Sequence, residues 1–181
     1  MKAIIRQANK SDAASLAKFA EHTFRDAFIY DNLVSNIDMH CLQSFSSQIQ
    51  QQEILNSNIV TFLAEVDQDL VGFAQLKLDS SVDCVKANKP AELYRLYIAT
   101  KHHGTGLAHK IIQEVLRSAS EAKNDYIWLG VWEHNPRAIA FYQKYGFRMI
   151  GEHIFNLGLD PQRDLIMVTD IGIQIPEFLE E

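Results

Sequence analysis

The stretch Glu92-Leu-Tyr-Arg-Leu-Tyr-Ile98-Ala-Thr-Lys-His-His103-Gly-Thr-Gly106-Leu-Ala-His-Lys-Ile-Ile-Gln-Glu-Val-Leu116 constrains the fold of this chain more than any other. Its first part is dense in aromatic and aliphatic residues, the composition of a buried strand. Its last part, continuing to Ala119, spaces Leu107, Ile111, Val115 and Ala119 four apart, which is one face of a helix. Between them lies a turn carrying Gly104 and Gly106. A strand that feeds a glycine-bearing loop and then a helix N-terminus offers unpaired backbone N–H groups to an anion, and the helix dipole adds to the attraction. A phosphate or pyrophosphate is the ligand this arrangement predicts.

The kind of phosphate site can be narrowed. A P-loop needs Gly-x4-Gly-Lys-Ser/Thr, and neither Gly104 nor Gly106 begins such a run. A dinucleotide fingerprint Gly-x-Gly-x-x-Gly would start at Gly104 and fail at His109. The pattern that fits is Gln/Arg-x-x-Gly-x-Gly/Ala, read as His103-Gly104-Thr105-Gly106-Leu107-Ala108, with histidine in place of the usual Gln or Arg. At these residues the chain resembles the GNAT superfamily of acetyl-CoA-dependent N-acetyltransferases. A plain strand-to-helix turn, with glycines for geometry alone, accounts for the same six residues.

Along the rest of the chain, Lys2 to Ala8 reads as a short first strand and Asn9 as the cap of a helix, with Asp12 near its positive end. Ala13, Leu16, Ala20, Phe24 and Ala27/Phe28 form the apolar face of that helix. Phe28 to Leu33 breaks the pattern as a loop. From Ser35 to about Leu55 two short, glutamine-rich helices suggest a solvated cover. Ile59–Val66 and Leu70–Leu78 are strands turned by Asp67-Gln68-Asp69, and Asp79–Pro90 reads as a surface loop. After the central strand and helix, Asp125 to Glu133 is a near-continuous apolar run. Asn135-Pro136 then opens a helix over Arg137–Tyr145 that stops at Gly146. Phe147–Leu157 and Arg163–Ile171 form a last antiparallel pair turned by Gly158-Leu-Asp-Pro161. Strands and helices alternating around a buried middle predict an α/β or α+β domain with a sheet of mixed direction.

Asn135-x-x-Ala138-x-x-Phe141-Tyr142-x-x-x-Gly146-Phe147 resembles the second GNAT signature and follows the first in the order of that superfamily. Ile127-Trp-Leu-Gly-Val-Trp-Glu133, Ala138-Ile-Ala-Phe-Tyr142 and Gly151-Glu-His-x-Phe155…Asp164-Leu-Ile-Met167 resemble its PaiA-type branch, described as spermidine/spermine N-acetyltransferases. The resemblance implies a single N-acetyltransferase domain over residues 1–181. Its sheet would be mainly antiparallel, flanked by helices, with a splayed parallel pair at its centre.

It also implies roles for individual residues. Leu96, Tyr97 and Ile98 would meet the pantetheine arm of acetyl-CoA through their main chain. His103, Gly104, Thr105, Gly106, Leu107, Ala108 and His109 would hold the pyrophosphate. Tyr142 matches the position that protonates the departing thiolate, although a tyrosine one turn from a helix end also serves as packing. Asn135 is a contact to CoA or simply a helix cap, and Lys144 meets a CoA phosphate or solvates the helix end. The first helical region overlies the acceptor in this superfamily, which makes Asp26, Tyr30 and Asp31 candidates for substrate contact.

A primary amine with a pKa of about 10.4 is only roughly 0.1% free base near pH 7.5, a barrier of about 4 kcal/mol. An enzyme that acetylates it gains from a base, direct or through water. Glu92 stands where some GNAT enzymes carry a catalytic glutamate, and it also reads as a solvated carboxylate at a strand edge. Glu133 is the alternative base or an acidic anchor for a polyamine. Neither Cys41 nor Cys84 has the setting of a nucleophile, so direct attack by the amine is expected.

The formal charge of −6 argues against nucleic acid and suits a cationic small-molecule amine. His102, His103 and His109 lack a carboxylate at ligand spacing, so no metal is expected. With no apolar run long enough to span a membrane and no signal peptide, the expected setting is cytoplasmic, without a membrane partner. A homodimer is compatible with all of this. A protein or peptide N-acetyltransferase, or an acyl-CoA-binding sensor without turnover, are the alternatives to polyamine acetylation.

Overall fold

Among the described residues all but one of the strand pairings are antiparallel, and the exception lies at the centre. The computed structural model describes residues 3–171. The strands are β1 (Ile4–Gln7), β2 (Ile59–Val66), β3 (Asp69–Lys77), β4 (Pro90–Ile98), β5 (Tyr126–Trp132), β6 (Arg148–Leu157) and β7 (Asp160–Asp170). They form one seven-stranded sheet in the order β1-β2-β3-β4-β5-β7-β6, and β4 and β5 run parallel. The helices are α1 (Ala13–Phe28), α2 (Val34–Ser44), α3 (Ser47–Leu55), α4 (Leu107–Glu121) and α5 (Pro136–Gln143). This is the mixed, mainly antiparallel sheet with a central parallel pair that the family resemblance implies.

The middle strands are apolar at successive positions because both faces of the sheet are covered. Phe62, Ala74, Leu93 and Leu129 pack under α4 with Ile111, Ile112, Val115 and Ala119. Leu63 and Phe73, their alternates, pack with Leu16, Ala20 and Phe24 of α1 and Ile37 and Cys41 of α2. The four-residue spacing of α4 holds as read. On α1 the buried face is Ala13, Leu16, Ala17, Ala20, Thr23 and Phe24, while Ala27 is exposed because the helix is leaving the sheet. The β2–β3 connection is tighter than expected. Asp67 and Gln68 take φ of 53° and 72°, and Val66 pairs with Asp69, which is the left-handed two-residue turn that suits a twisted hairpin.

Three expectations need correction. The β6–β7 turn is only Gly158-Leu159, and Pro161 pairs with Asn156 inside β7. Proline is tolerated there because β5 flanks β7 only from Asp164 onward, so no partner is deprived of an N–H. The segment between β3 and β4 is not a plain surface loop. Val82 and Val85 pack on Trp128, Ile166 and Val168, and Trp128 Nε1 donates to the Ser80 carbonyl at 2.8 Å.

The third correction concerns the glutamine-rich helices, which do more than cover the sheet. Gln50 on α3 is fully buried, as is Gln75 on β3. Gln75 Nε2 donates to Glu53 at 3.0 Å and to Gln50 at 3.3 Å. Arg95 on β4, 7% exposed, donates to Gln75 at 2.6 Å and to Glu53 at 2.7 Å. Its guanidinium also lies 4.2 Å from the Tyr94 ring centre. A buried charge survives only when paired and fully bonded, and here the partners come from α3, β3 and β4 together. Arg95→Met strands the Glu53 carboxylate, so it should cost about 3–5 kcal/mol. Urea unfolding should show this as a lowered midpoint at unchanged slope, with part of the loss recovered in the Arg95→Met/Glu53→Met double variant.

Candidate active site

The centre of the sheet opens. Strands β4 and β5 pair over three rungs, Pro90–Tyr126, Ala91–Ile127 and Glu92–Trp128, and then part. Beyond that point β4 keeps its partners on β3, through Leu96–Ala74, Tyr97–Phe73 and Ile98–Gly72. Its other edge, and the facing edge of β5, enter the gap without a strand partner. A register shift places Tyr94 as an extra residue between Leu93 and Arg95, and such bulges bend and twist a strand. Gly72 lies close under β4: a Cβ there would come within 2.7 Å of Ile98 Cδ1 and 3.2 Å of the Tyr97 carbonyl.

At the end of β4 the chain turns through a 3-10 segment, Thr100–His102, into the glycine loop. Gly104 and Gly106 both have φ of +79°, and a Cβ on either would meet nothing within 4 Å. Their glycine character therefore serves the left-handed backbone and leaves the space above the loop open. Gly106 is the N-cap of α4 and supplies no side-chain cap, and the first turn carries no acidic residue. The N–H groups of Leu107, Ala108 and His109 have no intrahelical acceptor, the first such bond running from Lys110 N to the Gly106 carbonyl, so they suit an anion. Thr105 Oγ1 donates to the His102 carbonyl at 2.8 Å and closes the turn.

His103 has partners on both sides. One ring nitrogen, Nε2, lies 2.9 Å from the Ile98 carbonyl, and Nδ1 lies 2.8 Å from Arg137 Nη1. The tautomer with its proton on Nε2 satisfies both. Arg137 occupies the first turn of α5, where the helix dipole disfavours a cation, so its position calls for another cause. His103 draws it to the glycine loop, a contact that sequence reading missed. His109 Nδ1 bonds the Tyr145 hydroxyl, tying α4 to α5. Behind the loop, Ala3, Val66, His102, Thr105, Leu107 and Lys110 line a cavity of about 280 Å³.

Asn135 caps α5, its Oδ1 accepting from Ala138 N at 3.0 Å, with Pro136 at the first helical position. This orients Tyr142, which is buried and packs on Phe141 and Phe147 at ring distances of 5.4 and 5.6 Å. Burial raises its phenol pKa well above the usual tyrosine range, so the group is a neutral O–H donor. The buried Tyr97 phenol is raised in the same way, and Tyr142 and Asp164 add to the effect on it. Lys144 is exposed at the far end of α5 from Arg137.

The opposite mouth of the gap is aromatic. Phe24 stacks on His40 at 4.4 Å and approaches Tyr97 at 6.2 Å. Phe28 meets Trp132 at 5.9 Å, and His40 meets Phe155 at 5.4 Å. Burial pushes the His40 imidazole down to about 4, with Arg95 contributing. The acidic residues singled out from sequence each have a separate setting. Asp26 is exposed and lies 3.5 Å from His22 on its own helix. Tyr30, 94% exposed, and Asp31 lie in the α1–α2 turn. Glu133 is held by Arg163 at 2.9 Å. Glu92 accepts from Ser80 Oγ at 2.8 Å and faces Lys77 Nζ at 3.6 Å, at the closed end of the gap. Among the described residues no three His, Cys, Asp or Glu side chains gather as metal ligands, and no helix is long and apolar enough to cross a membrane.

Comparison with known proteins matches residues 21–147 to the Acetyltransferase (GNAT) family. An uncharacterised N-acetyltransferase of Mycobacterium tuberculosis (strain H37Rv) is 30% identical over 165 residues, 89% of this chain and 99% of that protein. The spermine/spermidine N(1)-acetyltransferase of Bacillus subtilis (strain 168) is 30% identical over 133 residues, 70% of this chain and 88% of that one. Among solved structures, the PaiA N-acetyltransferase of Thermoplasma acidophilum in complex with coenzyme A superposes with a TM-score of 0.76. It is 22% identical and covers 94% of this chain and 99% of its own.

Proposed function

The chain belongs to the GNAT acetyltransferase family, and from that premise we propose that it carries acetyl from acetyl-CoA to a primary amine of a polyamine, spermidine or spermine being the type. The observation that carries the reading is the gap between β4 and β5, which has the uncapped N-terminus of α4 at one mouth and an aromatic wall at the other. In this reading residues 1–181 make up a single N-acetyltransferase domain.

The free edge of β4 at Leu96, Tyr97 and Ile98 pairs with the amides of the pantetheine arm. The backbone from His103 through Gly104, Thr105, Gly106, Leu107 and Ala108 to His109 receives the pyrophosphate, and Arg137 adds a cation beside it. Asn135 orients α5 and lies close enough in sequence to Arg137 to share that contact. Lys144, at the other end of α5, is assigned to a phosphate only in an extended pose. Tyr142, protonated at any physiological pH, gives its proton or a hydrogen bond to the departing sulfur. Glu92 is already bonded to Ser80 and Lys77, so it takes a proton from the amine only by way of water.

For the acceptor, support comes from the Bacillus subtilis relative and from the formal charge of −6. The distal ammonium groups of a polyamine need compensation at a distance from the reacting end, and Asp26, Asp31 and Glu133, with Tyr30 beside them, stand on the rim. A protein or peptide amine is the competing acceptor, and the exposed α1–α2 turn could receive one. An acyl-CoA sensor without turnover has no use for a buried phenol at the thiolate position.

Steady-state acetylation of spermidine, spermine, diamines, amino acids and peptides tests the acceptor. Spermidine should show the highest kcat/KM and should weaken as salt rises, through screening of the rim carboxylates. Equal, salt-insensitive use of a neutral-tailed amine would favour a peptide acceptor instead.

Acetyl-CoA should raise the melting temperature by mass action. Gly106→Glu should abolish that shift, because it places a carboxylate in the open space above the loop. Gly106→Ala, which carries only the roughly 1–2 kcal/mol strain of a left-handed residue, should retain it. Tyr142→Phe should lower kcat by roughly 10²-fold with acetyl-CoA binding little changed, and unaltered turnover would make Tyr142 a packing residue.

A further inference from the structure

None of the residues that line the cavity behind the glycine loop belongs to β4 or β5, the strands that bound the gap. The cavity measures about 280 Å³. That is the lower limit of the roughly 300–1,000 Å³ that small-molecule sites occupy, so it fits one end of a ligand rather than the whole of one. Two of its residues join it to the anion site. Thr105 lies in the loop between Gly104 and Gly106. Leu107 begins α4: its N–H has no intrahelical acceptor, and its side chain, 3% exposed, is part of the cavity lining.

The lining divides by chemistry. Ala3, Val66 and Leu107 supply apolar surface, while His102, Thr105 and Lys110 supply polar groups. Among the described residues Lys110 has no ion-pair partner, and the carboxylates around it are taken. Glu114, one turn on, is held by Arg117, and Glu65, next to Val66, by Arg6. Asp67, on the β2–β3 turn, is exposed, so water and salt screen it. His102 adds a ring N–H donor. Thr105 Oγ1 gives its proton to the His102 carbonyl at 2.8 Å, so toward a ligand it is an acceptor.

A bare inorganic anion would leave the apolar floor unused, and an apolar ligand would gain nothing from Lys110. A phosphate joined to a flat base that carries an amino group uses every part of the lining. The other cations near the loop lie elsewhere. Arg137 is bonded to His103 on the α5 side, and Lys101 is exposed outside the lining.

We propose that this cavity receives the 3′-phosphorylated adenosine end of acetyl-CoA, with Lys110 and His102 on the 3′-phosphate and Ala3, Val66 and Leu107 beneath the adenine. The inference rests on the acetyl-CoA reading above. The pyrophosphate and the adenosine are consecutive parts of one molecule, as the loop amides and the cavity are consecutive parts of one segment. Adenine set against the apolar floor removes that surface from water, and Thr105 accepts from its amino group. The adenosine end then turns to the β1 side of α4, away from α5. This gives the enzyme a means of choosing its donor. An acyl group carried on phosphopantetheine alone has neither the purine nor the 3′-phosphate, and it gains nothing from the cavity.

Calorimetric dissociation constants for CoA, 3′-dephospho-CoA and adenosine 3′,5′-bisphosphate, on wild type, Lys110→Gln and His102→Gln, test this. Wild type should bind CoA about tenfold more tightly than 3′-dephospho-CoA, the size expected of one charge-assisted hydrogen bond. Lys110→Gln should bring CoA down to the level of the dephospho form, leave the dephospho form unchanged and flatten the salt dependence of CoA binding. His102→Gln should narrow the preference part of the way. Adenosine 3′,5′-bisphosphate should compete with CoA. Because Lys110 is exposed, its variant should melt like wild type in the absence of ligand. Equal binding of CoA and 3′-dephospho-CoA by wild type would overturn the proposal. So would a preference that survives Lys110→Gln, or a bisphosphate that binds alongside CoA instead of competing with it. Binding of neither CoA nor 3′-dephospho-CoA by wild type would overturn the acetyl-CoA reading itself.

Discussion

Two parallel strands that stop pairing after three rungs set the terms for the rest of the molecule. Backbone N–H and C=O groups away from water require partners, yet past the third rung neither β4 nor β5 has a strand partner on the edge that faces the other, although the Ile98 and Trp132 carbonyls are met locally by His103 and by the Asn135 N–H. The chain tolerates this because the outer edges of both strands are fully paired, β4 with β3 and β5 with β7. The bulge at Tyr94 and the packing of Leu96 and Ile98 under α4 hold β4 away from β5. A gap of this kind suits a ligand that brings its own amides, and α4, α5 and the aromatic wall are all arranged around it.

Most of the scaffold was legible in the sequence because it follows from local periodicity. The face of α4, the apolar run of β5, the Asn135-Pro136 start and the left-handed Gly146, with φ of 78°, all answer to spacing or backbone rules that act over a few residues. The glycine loop was legible for the same reason. Two of the misreadings share one cause: they depend on contacts between residues far apart in the chain. Gln50 looks like a surface residue until Gln75 and Arg95 surround it. Val82 and Val85 read as loop residues until β5 and β7 lie beneath them.

The candidate site divides along the same line. Its anion-binding half is one contiguous segment and could be found by motif. The aromatic wall is assembled from residues of α1, α2, β4, β5 and β6 that are far apart in the chain. Arg137 gave one faint signal, a cation in the first turn of a helix. The histidine at position 103 also reads differently in three dimensions. A Gln or Arg there would act by its own side chain, whereas His103 bonds the end of β4 and holds Arg137 beside the loop. The positive charge is thus supplied from a second helix.

The placement of the two tryptophans of the chain has a practical consequence. Both lie on β5, Trp128 at the last paired rung and Trp132 against Phe28, and they flank the bare backbone at Gly130. An indole ring emits according to the polarity and motion of its surroundings, and here the whole indole signal comes from either side of one cleft. The protein therefore contains an intrinsic fluorophore pair beside the gap, able to register an optically silent ligand that enters it without any label.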